Sequence, residues 1–418
     1  MSVPGNVQSV ALQLEKVRKQ VPTAYQQEHI LLDLIDKRGD VLDASSRNIR
    51  LPILMRPGGK GSVGTADFDD MGRGSGSTWD VGTLSTLQVR WAFEVSKLAE
   101  YSTDEKDKAV EDVAVREVSE AMKMFKFFLD SLYQQNGTGQ QDTITAISGT
   151  TLTVSNPSVF YFNQDLQVYP TGLASASRGL CTVTAVDPLL KTITVNALPA
   201  GTITGDALVV NISQGAGGAN PVCIEGLLYN HVDSSSGSWN NLARSTYPET
   251  LKTPHVAAGS ASITPALRRL GENKLRRVLG VDFDEPMVAY MNVDQEAAWE
   301  NCGITVTQNI YQQEEGDSSP DMQKRRPPKN FGGIPIKTSI KAAIQRIDVI
   351  CLKHWGRGVT KEVGFFEIGG QTVVQLYGQS GGLEAGYLSY FDTVFNVFMD
   401  LPRFGLFYDG LSLPVGGY

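Results

Sequence analysis

The segment TDEKDKAVEDVAVREVSEAMKMFKFFLDSLYQ, residues 103–134, is the strongest single structural element in the sequence. Its apolar residues recur at steps of three and four, the spacing of one helical face; they are Val110, Val113, Ala114, Val118, Ala121, Met122, Phe125, Phe128, Leu129 and Leu132. Ser102 or Thr103 can cap the start, and Asn136-Gly137 marks the end. At about 1.5 Å per residue the helix would span roughly 48 Å, so we expect it to run across the molecule like a spine.

Two strand-like runs precede this helix. Arg50–Met55 and Leu87–Glu94 alternate apolar with polar or small residues, which predicts the two arms of a long hairpin. Between them, residues 58–76 hold seven glycines and the carboxylates of Asp67, Asp69 and Asp70, so this stretch cannot form a core. Because an isolated two-stranded ribbon is only marginally stable in water, the pattern suggests support from a neighbouring molecule.

The regions at either end of this central part differ in composition. Residues 6–20 and 26–36 carry two short helical stripes separated by Pro22, which predicts an N-terminal arm. Residues 140–215 are poor in charge and rich in alternating Thr and Val, with turn signals between the runs. We therefore expect a small all-β barrel or sandwich inserted into a mixed chain.

The remaining sequence predicts an α+β arrangement. A helix is expected from Pro265 to Leu279, capped by Thr264 and ended by Gly280. A strand at 286–291 and a short helix through Trp299 follow, and residues 314–330 are expected to form a surface loop. Further strand candidates make the carboxyl third rich in sheet; they are 334–337, 346–353, 364–368, 371–377, 387–399 and 404–408.

Composition excludes several classes of protein. The 418 residues carry a formal charge of -8 with a pI near 5.2, which argues against tight nucleic-acid binding over the whole surface. No export signal or run of 18 apolar residues is evident, so we expect no membrane span. The four cysteines form no C-x-x-C pair and are expected to be reduced and mostly buried; they are Cys181, Cys223, Cys302 and Cys351.

No catalytic, cofactor-binding or metal site is predicted. The four histidines show no paired spacing, and residues 58–62 fail the phosphate-loop pattern. Residues 378–382 match G-x-S-x-G around Ser380, but a hydrolase of that type needs a later histidine and none follows His354. We therefore interpret this match as a glycine-rich turn, and the chain as a non-enzyme.

The order of these elements resembles that of the tailed-bacteriophage major capsid proteins of the Hong Kong 97-type fold. No single motif is diagnostic, and the likeness rests on these segments: 50–93, 103–134, 242–248, 331–336, 401–405 and 410–411. The resemblance implies the following division: an N-terminal arm (1–48), an extended hairpin loop (49–94), the spine helix of a peripheral domain (95–139), the inserted β domain (140–215), and an axial domain with return strands of the peripheral domain (216–418).

The same resemblance implies a shell subunit that joins copies of itself in hexamers and pentamers around a double-stranded DNA genome. Portal and possible scaffold or cement proteins would be its other partners, with DNA contacted weakly, no cofactor, and assembly in the host bacterial cytoplasm. The expected contacts between subunits are Lys60, Asp67, Asp69, Asp70, Arg73, Trp79, Lys324, Arg325 and Arg326. Some members crosslink a hairpin lysine to an asparagine of a neighbour; Lys60 is a possible donor, but the sequence identifies neither a matched asparagine nor a nearby carboxylate.

One alternative stays open at the level of sequence. The chain could be another virion protein or an adhesin whose β insertion binds a receptor or a carbohydrate. Adhesins more often repeat such a module, whereas this one occurs once.

Overall fold

The computed structural model describes residues 28–35, 48–61, 63, 73–96, 113–210, 217–280, 285–311, 330–367, 373–377 and 383–413. Its helices are α1 (Ile30–Leu34), α2 (Val113–Tyr133), α3 (Leu227–Asn230), α4 (Pro265–Leu279) and α5 (Val293–Tyr311). None of the helices in these ranges is both long and apolar enough to cross a bilayer.

The strands are numbered in chain order. They are β1 (Asn48–Arg56), β2 (Thr78–Ser85), β3 (Leu87–Ser96), β4 (Gln140–Ser148), β5 (Thr151–Val154), β6 (Asp165–Tyr169), β7 (Gly179–Asp187), β8 (Thr192–Val195), β9 (Ala207–Val210), β10 (Ser238–Trp239), β11 (Leu242–Ala243), β12 (His255–Ala257), β13 (Met287–Met291), β14 (Asn330–Phe331), β15 (Ile334–Thr338), β16 (Ile347–Cys351), β17 (Trp355–Phe365), β18 (Val373–Tyr377), β19 (Leu383–Met399) and β20 (Leu406–Asp409).

The chain divides into two compact units, which we describe separately. The first comprises residues 1–29, 88–129 and 359–395. Its sheet has the order β17-β19-β18, and β3 also pairs with β19. Aromatic rings form its core: Phe125 stacks on Phe391 with ring centres 6.2 Å apart, and Phe93 stacks on Phe391 at 5.0 Å. The long helix α2 contributes Phe125 through its predicted apolar face.

The predicted hairpin exists, but one of its arms was assigned wrongly. Strand β1 pairs antiparallel with β2, with Ile49 opposite Leu84 and Ile53 opposite Asp80. Leu87–Glu94 does form the expected strand, but as β3 it pairs with β19. Alternation along a sequence reveals a strand and its two faces, whereas it does not identify the partner.

The β-rich stretch forms a closed barrel of order β4-β5-β8-β7-β6-β9 within the second unit. Alternate side chains of its strands point inward, as the Thr and Val alternation predicts, and form a separate core around Leu152, Leu166 and Ile193. The buried carboxylate of Asp206 receives two hydrogen bonds from Arg178, at 2.7 and 3.1 Å. The barrel thus has its own core and its own ion pair.

The rest of the second unit contains a mixed sheet of order β12-β20-β16-β13-β15-β14. Helix α4 lies against it and has the predicted ends: Thr264 Oγ1 accepts a hydrogen bond from Leu267 N at 3.2 Å, and Gly280 ends the helix with φ of 99°. Gly271 of α4 lies against the Tyr408 ring, where a Cβ would come within 2.2 Å of the hydroxyl oxygen. The strand and helix predictions for 286–299 hold, although α5 continues to Tyr311.

Several predictions fall on residues outside the described ranges. They concern most of the N-terminal arm, residues 103–112 of the long helix, residues 64–72 of the hairpin, residues 314–329 of the predicted surface loop and the glycine-rich turn at 378–382.

Candidate intersubunit surface

The β1–β2 ribbon has two different faces. Exposed and buried positions alternate along β1, so that Ile53 and Met55 are buried while Leu54 between them is exposed. Ile53 and Met55 pack in one cluster with Trp239, Tyr247 and Leu251. All five residues belong to the second unit. One face of the ribbon therefore belongs to the core of its own chain.

The opposite face carries an apolar patch. The register places Leu54 opposite Trp79 and Pro52 opposite Val81, so these four side chains share one side of the ribbon. Leu54, Trp79 and Val81 are 43%, 64% and 46% exposed, and Pro52 is exposed as well. We call this set the ribbon patch. Contiguous exposed apolar surface of this kind is typical of a protein interface.

Polar contacts hold the ribbon in place without covering the patch. Arg56 Nε donates to Glu249 Oε1 at 2.7 Å, and Arg56 Nη2 donates to the Thr246 carbonyl at 3.1 Å. The Arg56 guanidinium also lies 5.4 Å from the centre of the Tyr247 ring. On the other strand, Thr83 N donates to the Asn240 carbonyl at 2.9 Å. The patch is thus presented on a fixed support.

The hydrogen bond between Arg56 and Glu249 shifts the pKa values of both side chains. The bond from Arg56 holds the pKa of Glu249 below its usual range, and the same bond raises the pKa of Arg56. Both side chains are about half exposed, 47% for Glu249 and 52% for Arg56, so water screens the pair and its contribution to stability is small. Its role is to fix the direction of the ribbon.

Only part of the predicted contact set lies in described residues. Trp79 belongs to the ribbon patch, and Lys60 and Arg73 are exposed near the hydrogen bond from Gly59 N to the Ser75 carbonyl at 2.7 Å. The remaining predicted contacts lie outside the described ranges and stay predictions: Asp67, Asp69, Asp70, Lys324, Arg325 and Arg326.

Sequence reasoning missed Pro52, Leu54 and Val81. The signal was present, because the run NIRLPILMR at 48–56 has apolar residues at both odd and even positions. A strand with only one buried face would show polar residues at alternate positions. Apolar residues on both faces indicate that each face of the strand packs against other protein surface.

The interior of the second unit contains buried ion pairs. Lys341 Nζ lies 2.9 Å from Asp130 Oδ2, and both side chains are fully buried. The other oxygen of Asp130 accepts a hydrogen bond from Leu32 N at 2.9 Å. Elsewhere, buried His231 Nδ1 lies 2.9 Å from Asp348 Oδ1, and Asp348 also accepts hydrogen bonds from Arg346. Burial lowers the pKa of His231 in spite of this carboxylate.

One cluster combines three side chains of metal-ligating type. Donor atoms of Glu285, Cys351 and His354 all lie within 4.8 Å of one another. Burial raises the pKa of the Cys351 thiol to about 11, which keeps it protonated in the absence of a cation. The search of the sequence for C-x-x-C and paired histidines did not reveal this cluster, since Glu285 is distant from the others along the chain.

Comparisons with known proteins bear on the fold. No family model and no curated protein matches the sequence. The chain is similar in structure to the capsid chain of the cyanophage A-1(L) asymmetric unit, with 12% identity, a TM-score of 0.59, and coverage of 97% of this chain and 99% of that chain. The capsids of a native GTA particle and of the Myoviridae phage XM1 each align with 10% identity, a TM-score of 0.48, and coverage of 96% and 98%.

The likeness to the cyanophage chain extends over nearly the whole of both molecules. The chain therefore shares the fold of this cyanophage capsid chain.

Proposed function

We propose that this chain is a major capsid protein, which assembles with many copies of itself into the icosahedral or prolate shell that encloses a phage double-stranded DNA genome. The observation that carries the proposal is the agreement in fold, over 97% of this chain and 99% of the other, with the capsid chain of cyanophage A-1(L). A likeness that covered one domain alone would support a shared module; one that covers both chains supports a shared architecture.

The ribbon patch supplies an independent physical argument. An exposed Trp79 with Leu54 and Val81 leaves apolar area in water, whose burial contributes about 25 cal/mol per Å². In a closed assembly each ribbon would place this face on the next subunit, and every copy would both give and receive the contact. Self-assembly would therefore cover the ribbon patch with a neighbouring subunit.

The finer organisation follows the Hong Kong 97-type plan. In it the β1–β2 ribbon is the extended loop, α2 is the spine helix of the peripheral domain, and the carboxyl portion forms the axial domain around sixfold and fivefold centres. The barrel formed by β4 to β9 is an inserted domain of the kind that some members carry. Lys60, Arg73 and Trp79 would contact neighbours, together with the predicted residues outside the described ranges.

Partners other than itself follow from charge and from assembly. The formal charge of -8 favours a shell that confines DNA without gripping it. A portal protein and possible scaffold or cement proteins would complete the particle, which would be assembled in the host bacterial cytoplasm. The proposed role requires neither a cofactor nor catalysis.

The proposal is tested by expressing the chain in bacteria, alone and beside its neighbouring genes, and examining purified material by negative-stain electron microscopy and light scattering. Closed shells or sheets of hexamers are expected. A monodisperse monomer or small oligomer under both conditions would contradict the proposal and would favour a binding role for the barrel.

A further inference from the structure

We propose that Glu285, Cys351 and His354 form a binding site for a single divalent cation of the zinc type. Their donor atoms are a carboxylate oxygen, a sulfur and an imidazole nitrogen, all within 4.8 Å of one another. Zinc is bound in proteins by this combination of atoms, whereas magnesium and calcium prefer oxygen alone. Three protein ligands leave a fourth tetrahedral position for water.

The sheet register explains why these residues meet. Strands β13 and β16 are antiparallel neighbours, with Met287 opposite Cys351. Residues two apart on a strand point to the same side, so Glu285, just before β13, lies on the side of the sheet that Cys351 faces. A cation here would link the start of β13 to the end of β16.

The turn that follows Cys351 brings the histidine back towards the sulfur. Residues Leu352–His354 form one turn of 3-10 helix directly after the strand, which places two potential ligands at Cys351 and His354 with C-x-x-H spacing.

The imidazole is held on two sides. Nδ1 of His354 lies 3.1 Å from Asp400 Oδ2, and its ring stacks on Phe404 with centres 3.7 Å apart and planes 5° apart. Metal-ligating histidines characteristically donate their second ring nitrogen to a carboxylate, which fixes the tautomer and the direction of the ring. Asp400 is therefore a positioning residue for the proposed ligand.

Glu285 has a competing partner that can move. Lys353 Nζ lies 2.6 Å from Glu285 Oε1, and the Lys353 side chain is 61% exposed. The second carboxylate oxygen remains for a cation, and the lysine can withdraw into solvent. Tetrahedral zinc places oxygen, nitrogen and sulfur ligands about 3.3–3.6 Å apart, so separations of at most 4.8 Å would shorten on binding by no more than about 1.5 Å. On binding, the sulfur–metal bond replaces the S–H bond and the proton passes to solvent.

The test uses the full chain, freed of metal with a chelator and then titrated with Zn²⁺ by calorimetry and with Co²⁺ by absorption spectroscopy. We expect one equivalent per chain, with a thiolate-to-cobalt charge-transfer band that identifies the sulfur as a ligand. The band should be lost in Cys351→Ser. Affinity should fall about 10–100-fold in Asp400→Asn, because that change disturbs the ring and not a ligand.

The matched control is Cys181→Ser, which removes a buried thiol in the barrel core and should leave both titrations unchanged. If Cys351→Ser unfolds the chain, His354→Ala tests the same site. The His354 side chain is 16% exposed, so its removal disturbs the core less. Absence of stoichiometric binding by the unmodified chain, or full binding by His354→Ala, would overturn the proposal. Neither result depends on whether the protein forms shells.

Discussion

Leu54 and Trp79 are direct cross-strand partners in the β1–β2 ribbon, and both side chains are exposed, by 43% and 64%. Because the other face of the ribbon packs in the core of its own chain, this pair stands on a supported surface. Under the proposed function, we expect this apolar pair to pack against a neighbouring copy of the chain.

Replacing Trp79 with Asp should weaken assembly and leave the chain folded. Buried aromatic anchors contribute about 2 kcal/mol or more at protein interfaces, so the critical concentration for assembly should rise at least about thirtyfold. The exposed position predicts a change in unfolding free energy within about 0.5 kcal/mol. Light scattering against concentration and urea unfolding measure the two effects.

The matched control for this substitution is Leu189→Asp, which introduces the same charge at an apolar side chain that is 84% exposed in the barrel. It should assemble like the unmodified chain. Equal inhibition by both variants would mean that added charge, and not the ribbon patch, controls assembly.

The buried pair of Lys341 and Asp130 should be strongly coupled. Removing one partner leaves an uncompensated buried charge, so Asp130→Asn and Lys341→Met should each cost about 3–5 kcal/mol. The double variant should cost less than the sum of the two single variants, since no charge is then left alone. A double-mutant cycle in urea measures the coupling, and strict additivity would contradict it.

Glu225 should make stability depend on pH. Burial raises the pKa of its carboxyl from an ordinary value near 4.5 to about 7. The folded chain keeps a proton that the unfolded chain loses, so the stabilisation is full below pH 4.5 and is lost as the pH rises to about 7. Glu225→Gln, which stays neutral, should therefore exceed the unmodified chain in stability at pH 8 and nearly equal it at pH 4. Urea unfolding measures the difference in unfolding free energy between Glu225→Gln and the unmodified chain. A difference of the same size at both pH values would contradict the raised pKa of Glu225.

The inserted barrel should face outward in the assembled particle. Its separate core and low charge density favour a peripheral position, and the turn between β7 and β8 exposes Leu189. Leu189→Cys should react with a maleimide probe in intact particles, against a background set by the unmodified chain. Reaction only after the particles are disrupted would place the turn inside the shell.

Much of the fold was predictable from local patterns. The helix Pro265–Leu279 followed from its Thr cap and terminal Gly, and the barrel followed from Thr and Val alternation between turn signals. Both signals act within a few residues, where backbone and side-chain preferences dominate. The partner of β1 was assigned wrongly because strand pairing depends on contacts between distant parts of the chain.

The candidate sites were harder to predict from the sequence for the same reason. Trp79 was among the predicted intersubunit contacts, but the patch it forms with Leu54 depends on the register of β1 and β2. The spacing of Cys351 and His354 could have been noticed in the sequence. Glu285 joins them only through the pairing of β13 with β16, which local patterns do not specify.

Cryo-electron microscopy of particles assembled from the full chain, with the ribbon patch located in the density, tests the proposed function most directly. We predict closed shells in which Leu54 and Trp79 of each subunit are buried against a neighbouring copy. Shells in which these two side chains remain in solvent would contradict the role of the patch, and failure to form any shell, alone or beside the neighbouring genes, would contradict the proposed function.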